Sequence, residues 1–526
     1  MRPVRAFLPT LVIFVLLTST AGADAQVQVE LAGDEIQAVD RSMVAKIREE
    51  GLQNSRLAET LSYMTDVLGA RLTLSGGMTK AQAWAKAEME RMELTNTVIE
   101  PFMDYGVSWD NEYMSLHLLE PDYQPMVGYP LAHTPGTDGG RVLQVVIADV
   151  RTKQDLDRYR GRLAGMAVLS TPPATVDLTR FREGVPRRTA EELRVLEEDV
   201  LPPVPGPPAV PRNPDLLRSE DRISFYKAEG VAVVLECTSG WPGAVRGFAR
   251  PGTRSDRWGR EESLASPPIV AVTPEHYNRM YRILRREIPV TIEIDVRNRI
   301  GERREQASNV LGEIAGSDLA DEIVMMGAHF DTWHASPNAS DNTSGVAVVL
   351  EAARILKAVG AAPRRTIRIA LWAGEEQGLH GSRQYVQEHF GDPDDPEVGA
   401  KPEYEKLSAY FNQDYGPGQY RGLWLQGNEH VRSTFEAWMA PFYDLGMTTL
   451  SIRSVGSTDH VPFDDAGLPG FQFLQDRTGG TGGHTNLDFF DTLPLDDLMK
   501  NAVIMASFVY HAAMSDERIP RKSREK

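Results

Sequence analysis

Cysteine is all but missing from this chain: 526 residues contain one, Cys237. A single thiol excludes an intrachain disulfide, so the fold rests on its cores and on whatever ions it binds. Such a residue is expected to be buried and inert. Positive charge is scarce as well. With 56 Lys and Arg against 74 Asp and Glu, the formal net charge of −18 argues against a basic face for nucleic-acid phosphates. A long hydrophobic run is also lacking. The N-terminal apolar stretch Phe7–Leu17, within "MRPVRAFLPTLVIFVLLTSTAGADAQ", falls short of the ~20 residues needed to cross a bilayer. Arg2 and Arg5 precede it, and small residues ending Ala23-Asp24-Ala25 follow, as in a secretory signal peptide cut after Ala25. Gln26, not a cysteine, follows the expected cut, so a lipoprotein anchor is not indicated. The expectation is an exported protein, periplasmic or extracellular, without a stable membrane anchor.

What is present is an ordinary globular composition, 41% hydrophobic and 25% charged. The length exceeds the ~250–300 residues at which single cores stop growing, so more than one domain is expected. After the signal, residues 41–68 and 78–92 carry apolar positions three and four apart and are predicted as helices. "EYMSLHLLE" (112–120) is predicted as a strand. From about 133 to 280 the texture changes to short apolar runs between glycine-containing turns ("GRVLQVVIADV", "LAGMAVLS", "GVAVVLECTS"), a smaller β-rich unit. Within it, "PPVPGPPAVPR" (202–212) can only be an exposed loop. Residues 274–287 predict one more helix, and "VTIEIDVRNR" a strand.

From about 281 onward strands and helices alternate: "DEIVMMGAHF", then "SGVAVVLEAARILKAV", "RTIRIALWAG", "GSRQYVQEHF" and "KLSAYFNQD". Such alternation predicts an α/β fold, a mostly parallel mixed sheet flanked by helices. In these sheets ligands sit at the carboxyl ends of the strands.

The chemistry-bearing residues fall at those ends. His329 and Asp331 close the first strand; Asp341 comes twelve residues after His329 and opens a helix. Glu375 and Glu376 end "RTIRIALWAGEE", Asp414 ends "KLSAYFNQD", and His484 lies in "GGTGGHTNLDFFD". Taken singly, each has an ordinary role as a cap, a surface side chain or a helix start. Together they place acids side by side at one sheet edge, where they repel unless a cation lies between them. Imidazole and carboxylate without thiolate suit zinc, with manganese or cobalt as lesser alternatives. Five ligand side chains exceed the three that a catalytic zinc takes beside water, so two zinc ions sharing one carboxylate fit better.

"GAHFDTW", "ASDNTSGVAVVLEAAR", "ALWAGEEQGLHGS", "FNQDYG", "STDHVPFDDAGLPGFQF" and "HTNLDFFD" resemble, in order, the motifs of the co-catalytic zinc exopeptidases. That family includes the bacterial leucyl aminopeptidases and carboxypeptidase Q. The resemblance is close over roughly residues 300–512 and looser over the N-terminal helices. It implies that Asp341 bridges two zinc ions, one held also by His329 and Asp414, the other by Glu376 and His484. It makes Glu375 the general base and Asp331 the acid that orients a ligating histidine, and it gives Asp459 and His460 supporting roles. Segment 133–280 resembles, more loosely, the protease-associated domain inserted in many secreted members. On that reading residues 26–132 and 281–526 form the peptidase domain.

One departure stands out. Relatives place a tyrosine near the last histidine, where this chain has Gly482 and Gly483. Either another group, such as His460 or a metal, stabilises the oxyanion, or turnover is weaker. The implied partners are short peptides, and a homodimer is compatible with all of this. Two other functions share the fold: a non-catalytic binding protein and a single-zinc acyltransferase of the glutaminyl-cyclase type. Amino- and carboxypeptidase remain open alternatives.

Overall fold

The computed structural model describes residues 39–178, 187–198, 213–250, 258–476 and 483–522. The expected signal peptide, the proline-rich stretch 202–212 and Gly482 lie outside them. Among the described residues no helix is long and apolar enough to cross a membrane.

Eight strands form the sheet that carries the site, in the spatial order Thr95–Gly106, Glu305–Ile314, Arg365–Trp372, Leu319–His329, Leu407–Asn412, Gly470–Gln475, Tyr420–Trp424 and Thr449–Ser451. The strands from Arg365–Trp372 to Gly470–Gln475 are mutually parallel, and antiparallel pairs join them to both flanks. This is the mixed, mostly parallel sheet expected from the alternation. Successive strand side chains point to opposite faces. Val324, Met326 and Ala328 accordingly share one core with Val44, Ile47, Val346, Val349, Ala502 and Met505, from the helices Arg41–Gln53, Ser344–Ala358 and Leu495–Met514. Ile323 and Met325 enter a second core with Tyr385, Phe390, Tyr410 and Phe463. Burial on both faces explains why this strand is a continuous apolar run. His329 pairs with Trp372 and Gly327 with Asn412, so the strands end nearly level and the residues just beyond them converge.

The second eight-stranded sheet draws its strands from Trp109 to Ile300. It is wider than segment 133–280. Trp109–Glu120 and Thr291–Ile300 pair antiparallel along their length, and the latter pairs onward with Arg141–Ile147. The reason is the shared core: Leu116 and Leu118 pack with Ile292, Ile294 and Val296 and with Leu143 and Val145. Texture alone did not reveal that the flanking strands belong with the segment they enclose.

Two local expectations also differ. The helix expected over 41–68 is broken: Arg41–Gln53 stops at Asn54, and Leu57–Ser62 then runs into the wider turn Tyr63–Leu68. At the break the Arg56 N–H donates to Glu351 at 3.1 Å instead of continuing a helix ladder. Cys237 is half-buried, not buried, with its thiol directed at the Ser239 carbonyl; burial pushes its pKa up to about 11, which disfavours the thiolate.

Candidate metal centre

His329 ends its strand almost fully buried, and its Nε2 faces Asp341 at 3.3 Å and Asp414 at 3.6 Å. On the other side of Asp341, His484 Nε2 lies 3.0 Å from its second oxygen and 2.8 Å from Glu376. Asp341 thus belongs to two groups, His329–Asp341–Asp414 and Asp341–Glu376–His484, and within each the ligand atoms lie within 4.8 Å of one another. Glu375 stands outside both, its carboxylate 3.9 Å from His329 Nε2. Every residue expected as a ligand is brought together here.

The electrostatics are those of acids crowded together out of water. Burial pushes the Glu375 carboxyl well above its usual range, with Asp414, Asp459 and Glu376 adding to the effect against His329. Glu376 is pushed up to about 7, again by burial and then by Asp341. Burial also pushes Asp341 upward, but hydrogen bonds from both histidines outweigh it and hold this carboxyl below its usual value. His484 is raised to about 10: burial opposes its charge, and Glu376 and Asp341 outweigh burial. Glu376 Oε1 is buried with no hydrogen-bond partner among the described residues. An orphaned carboxylate oxygen in a buried acid cluster is costly unless a cation takes it. The donor set, imidazole and carboxylate only, suits zinc.

The supports explain how the ligands are held. Asp331 does not orient the His329 ring with its carboxylate: His329 Nδ1 is bonded to the Asp331 backbone carbonyl at 2.9 Å. The carboxylate instead accepts the backbone N–H groups of Glu375 and Glu376, at 3.0 and 3.3 Å, and so fixes the turn carrying both glutamates. Asn342 Nδ2 donates to the Gln413 carbonyl at 2.8 Å, tying the Asp341 loop to the Asp414 loop. Asp488, buried and pushed up to about 6 by that burial, accepts from the Ser340 N–H and hydroxyl, both at 2.8 Å. Arg71 is fully buried and donates to the carbonyls of Gly69 and Phe330 and to the Thr343 hydroxyl. Sequence reasoning missed Arg71 altogether. It quoted Asp488 inside "HTNLDFFD" without a role, although an acid four residues after a ligand histidine was a usable signal.

Residues 309–509 match peptidase family M28. Over 472 residues the chain is 24% identical to carboxypeptidase Q of Pongo abelii, covering 90% of this chain and 88% of that one. It is 31% identical to aminopeptidase YwaD of Bacillus subtilis over 209 residues, 38% of this chain and 42% of the other. Among solved structures, an M28 peptidase precursor from Shewanella amazonensis superposes with TM-score 0.64 at 22% identity, covering 92% of this chain and 99% of that one. A zinc aminopeptidase from Bacillus subtilis gives 0.53 at 18%, covering 88% and 95%. These superpositions support the fold.

Within the matched residues, two expected supporting residues part company. Asp459 is buried, accepts from Ser382 at 2.5 Å and is pushed up to about 7 by burial. His460 lies outside both ligand groups: its Nε2 is taken by Gln426 at 2.6 Å and the Val455 carbonyl at 3.0 Å, and burial lowers its pKa to about 4. Its Nε2 is occupied, while its Nδ1 is buried with no hydrogen-bond partner among the described residues. Gly483 lies against Asp341, where a Cβ would sit 3.7 Å from its carboxylate. A phenol is nevertheless present beside Asp414: Tyr415 is partly exposed, at φ 67°, with its hydroxyl donating to the Gly456 carbonyl.

Proposed function

We propose that the chain is an exported zinc exopeptidase that binds two zinc ions and hydrolyses the peptide bond next to a terminus of short peptides. The observation that carries this reading is the pair of three-residue ligand groups sharing Asp341. His329 and Asp414 would complete one ion's protein ligands, and Glu376 and His484 the other's. When bound, zinc lowers the pKa of water toward neutrality and polarises a carbonyl oxygen.

The protein's own groups do the rest. Glu375 is in neither ligand group and stands beside both, where its carboxylate takes the attacking water's proton and delivers it to the leaving amine. Asp331 holds that carboxylate's backbone in place. Two ligand groups favour this reading over a single-zinc acyltransferase, and the complete set of acids and histidines favours it over a non-catalytic binding protein. A preference for short peptides is supported by segment 245–248, which follows the strand Val233–Glu236 and whose backbone and Phe248 ring pack on His484.

The test is a dipeptide series, free or blocked by N-acetyl or C-amide, with products identified by mass spectrometry. Cleavage confined to terminal bonds is expected. Efficient cleavage inside a long, doubly blocked peptide would overturn the exopeptidase reading.

A further inference from the structure

The second sheet has a cleft of its own, away from the metal ligands. Its strands Arg141–Ile147, Ala167–Leu169, Val233–Glu236 and Ile269–Val272 are mutually parallel. In such sheets the crevice beyond the carboxyl ends of the strands takes the ligand. Asp149, Ser170, Thr171 and Glu236 fall at those ends. The helix Ser219–Ala228 packs Ile223 and Tyr226 into a core with Val168 and Val234, and so brings Arg222 to the same place.

Arg222, Glu236 and Thr171 line one cavity of about 140 Å³. A second, of about 250 Å³, adjoins it at Thr171 and Arg222 and is walled by Pro172, Leu216 and Leu217. Together they reach the lower end of the ~300–1,000 Å³ typical of small-molecule sites. None of these residues belongs to either ligand group of the metal centre.

The two charged side chains in the smaller cavity are poorly satisfied. Arg222 Nε is buried with no hydrogen-bond partner, and the guanidinium forms no ion pair among the described residues. The Glu236 carboxylate accepts from the Ser170 hydroxyl at 3.3 Å; burial raises its pKa, and the charge of Arg222 opposes that rise. Asp149 is already committed, because Arg151 holds its two oxygens at 3.0 and 2.8 Å. Charged groups enclosed without close partners cost free energy. A simple anion would answer Arg222 but meet Glu236 as a like charge. A ligand carrying both charge signs a few bonds apart answers both.

We propose that this cleft binds a free amino acid with an aliphatic side chain. Its carboxylate lies on Arg222, its ammonium on Glu236, and its side chain against Pro172, Leu216 and Leu217. The site goes beyond the exopeptidase reading and does not depend on it, since no candidate metal ligand takes part.

Titration calorimetry on the full chain tests this with L-leucine, L-leucinamide and N-acetyl-L-leucine, for wild type, Arg222→Met and Glu236→Gln. Wild type should bind leucine more tightly than either blocked form. Arg222→Met should weaken leucine roughly 10- to 100-fold and abolish the preference over leucinamide. Glu236→Gln should abolish the preference over N-acetyl-leucine. Each variant then loses discrimination at one end of the ligand only, a pattern that neither misfolding nor leucine bound at the metal centre would produce. Equal losses for all three ligands, leucine binding indifferent to both substitutions, or no leucine binding by wild type would overturn the assignment. So would binding of inorganic phosphate that Arg222→Met abolishes, which would make the cleft a plain anion site.

Discussion

Asp341 is the side chain on which both ligand groups depend, and Glu375 is the carboxylate that neither group uses. Their substitution should therefore fail in different ways. Asp341→Ala is expected to lose metal together with activity, because it removes the shared ligand. Glu375→Gln keeps the shape and should keep the metal, while turnover falls by roughly 10²–10⁴-fold through loss of the proton acceptor. Metal content measured beside kcat separates the two; zinc lost from Glu375→Gln and retained by Asp341→Ala would reverse the assignment. The candidate ligands were legible in the sequence because each sits in a short motif, three of them at or just beyond strand ends and Asp341 and His484 in loops. Arg71 was not, since nothing in "GARLTLS" distinguishes a buried arginine from a surface one. Nor was the aim of Asp331, whose carboxylate meets the Glu375 and Glu376 N–H groups only once two strands lie side by side.

Among the elements, the central parallel strands were the easiest to read, because burial on both faces gives them uninterrupted apolar runs. The extent of the second sheet was harder: Trp109–Glu120 and Thr291–Ile300 lie far apart in the chain, and only their pairing assigns them to it. A similar long-range link has a measurable consequence. His389, in the turn Val386–Phe390, lies 3.2 Å from Glu100 on the strand Thr95–Gly106 and 3.6 Å from Glu403. Burial opposes the charge of its imidazole, but hydrogen bonds with both acids outweigh this and raise its pKa to about 9. A folded value above the unfolded one means that this contribution to stability is complete below about 6.5 and is lost as pH rises through about 9. Replacing His389 with Gln should lower Tm at neutral pH and flatten the decline of Tm across that window. Parallel declines in wild type and variant would show that the link contributes nothing.

At the scale of the whole molecule, one sheet supplies the strand ends beside which the candidate ligands lie, and the loop after the second sheet's strand Val233–Glu236 lays segment 245–247 against residues 484–486. Without disulfides, a cluster of buried acids remains as an unfavourable term that cations neutralise. Because metal binds the folded site, stability and metal content should be linked: a chelator should lower Tm, and zinc should restore it in a concentration-dependent way. The central claim, two ions sharing Asp341, is tested most directly by elemental analysis of freshly purified active protein. About two zinc ions per chain are expected, with activity lost on their removal and regained on their return. One metal ion per fully active chain, or none, would contradict the account.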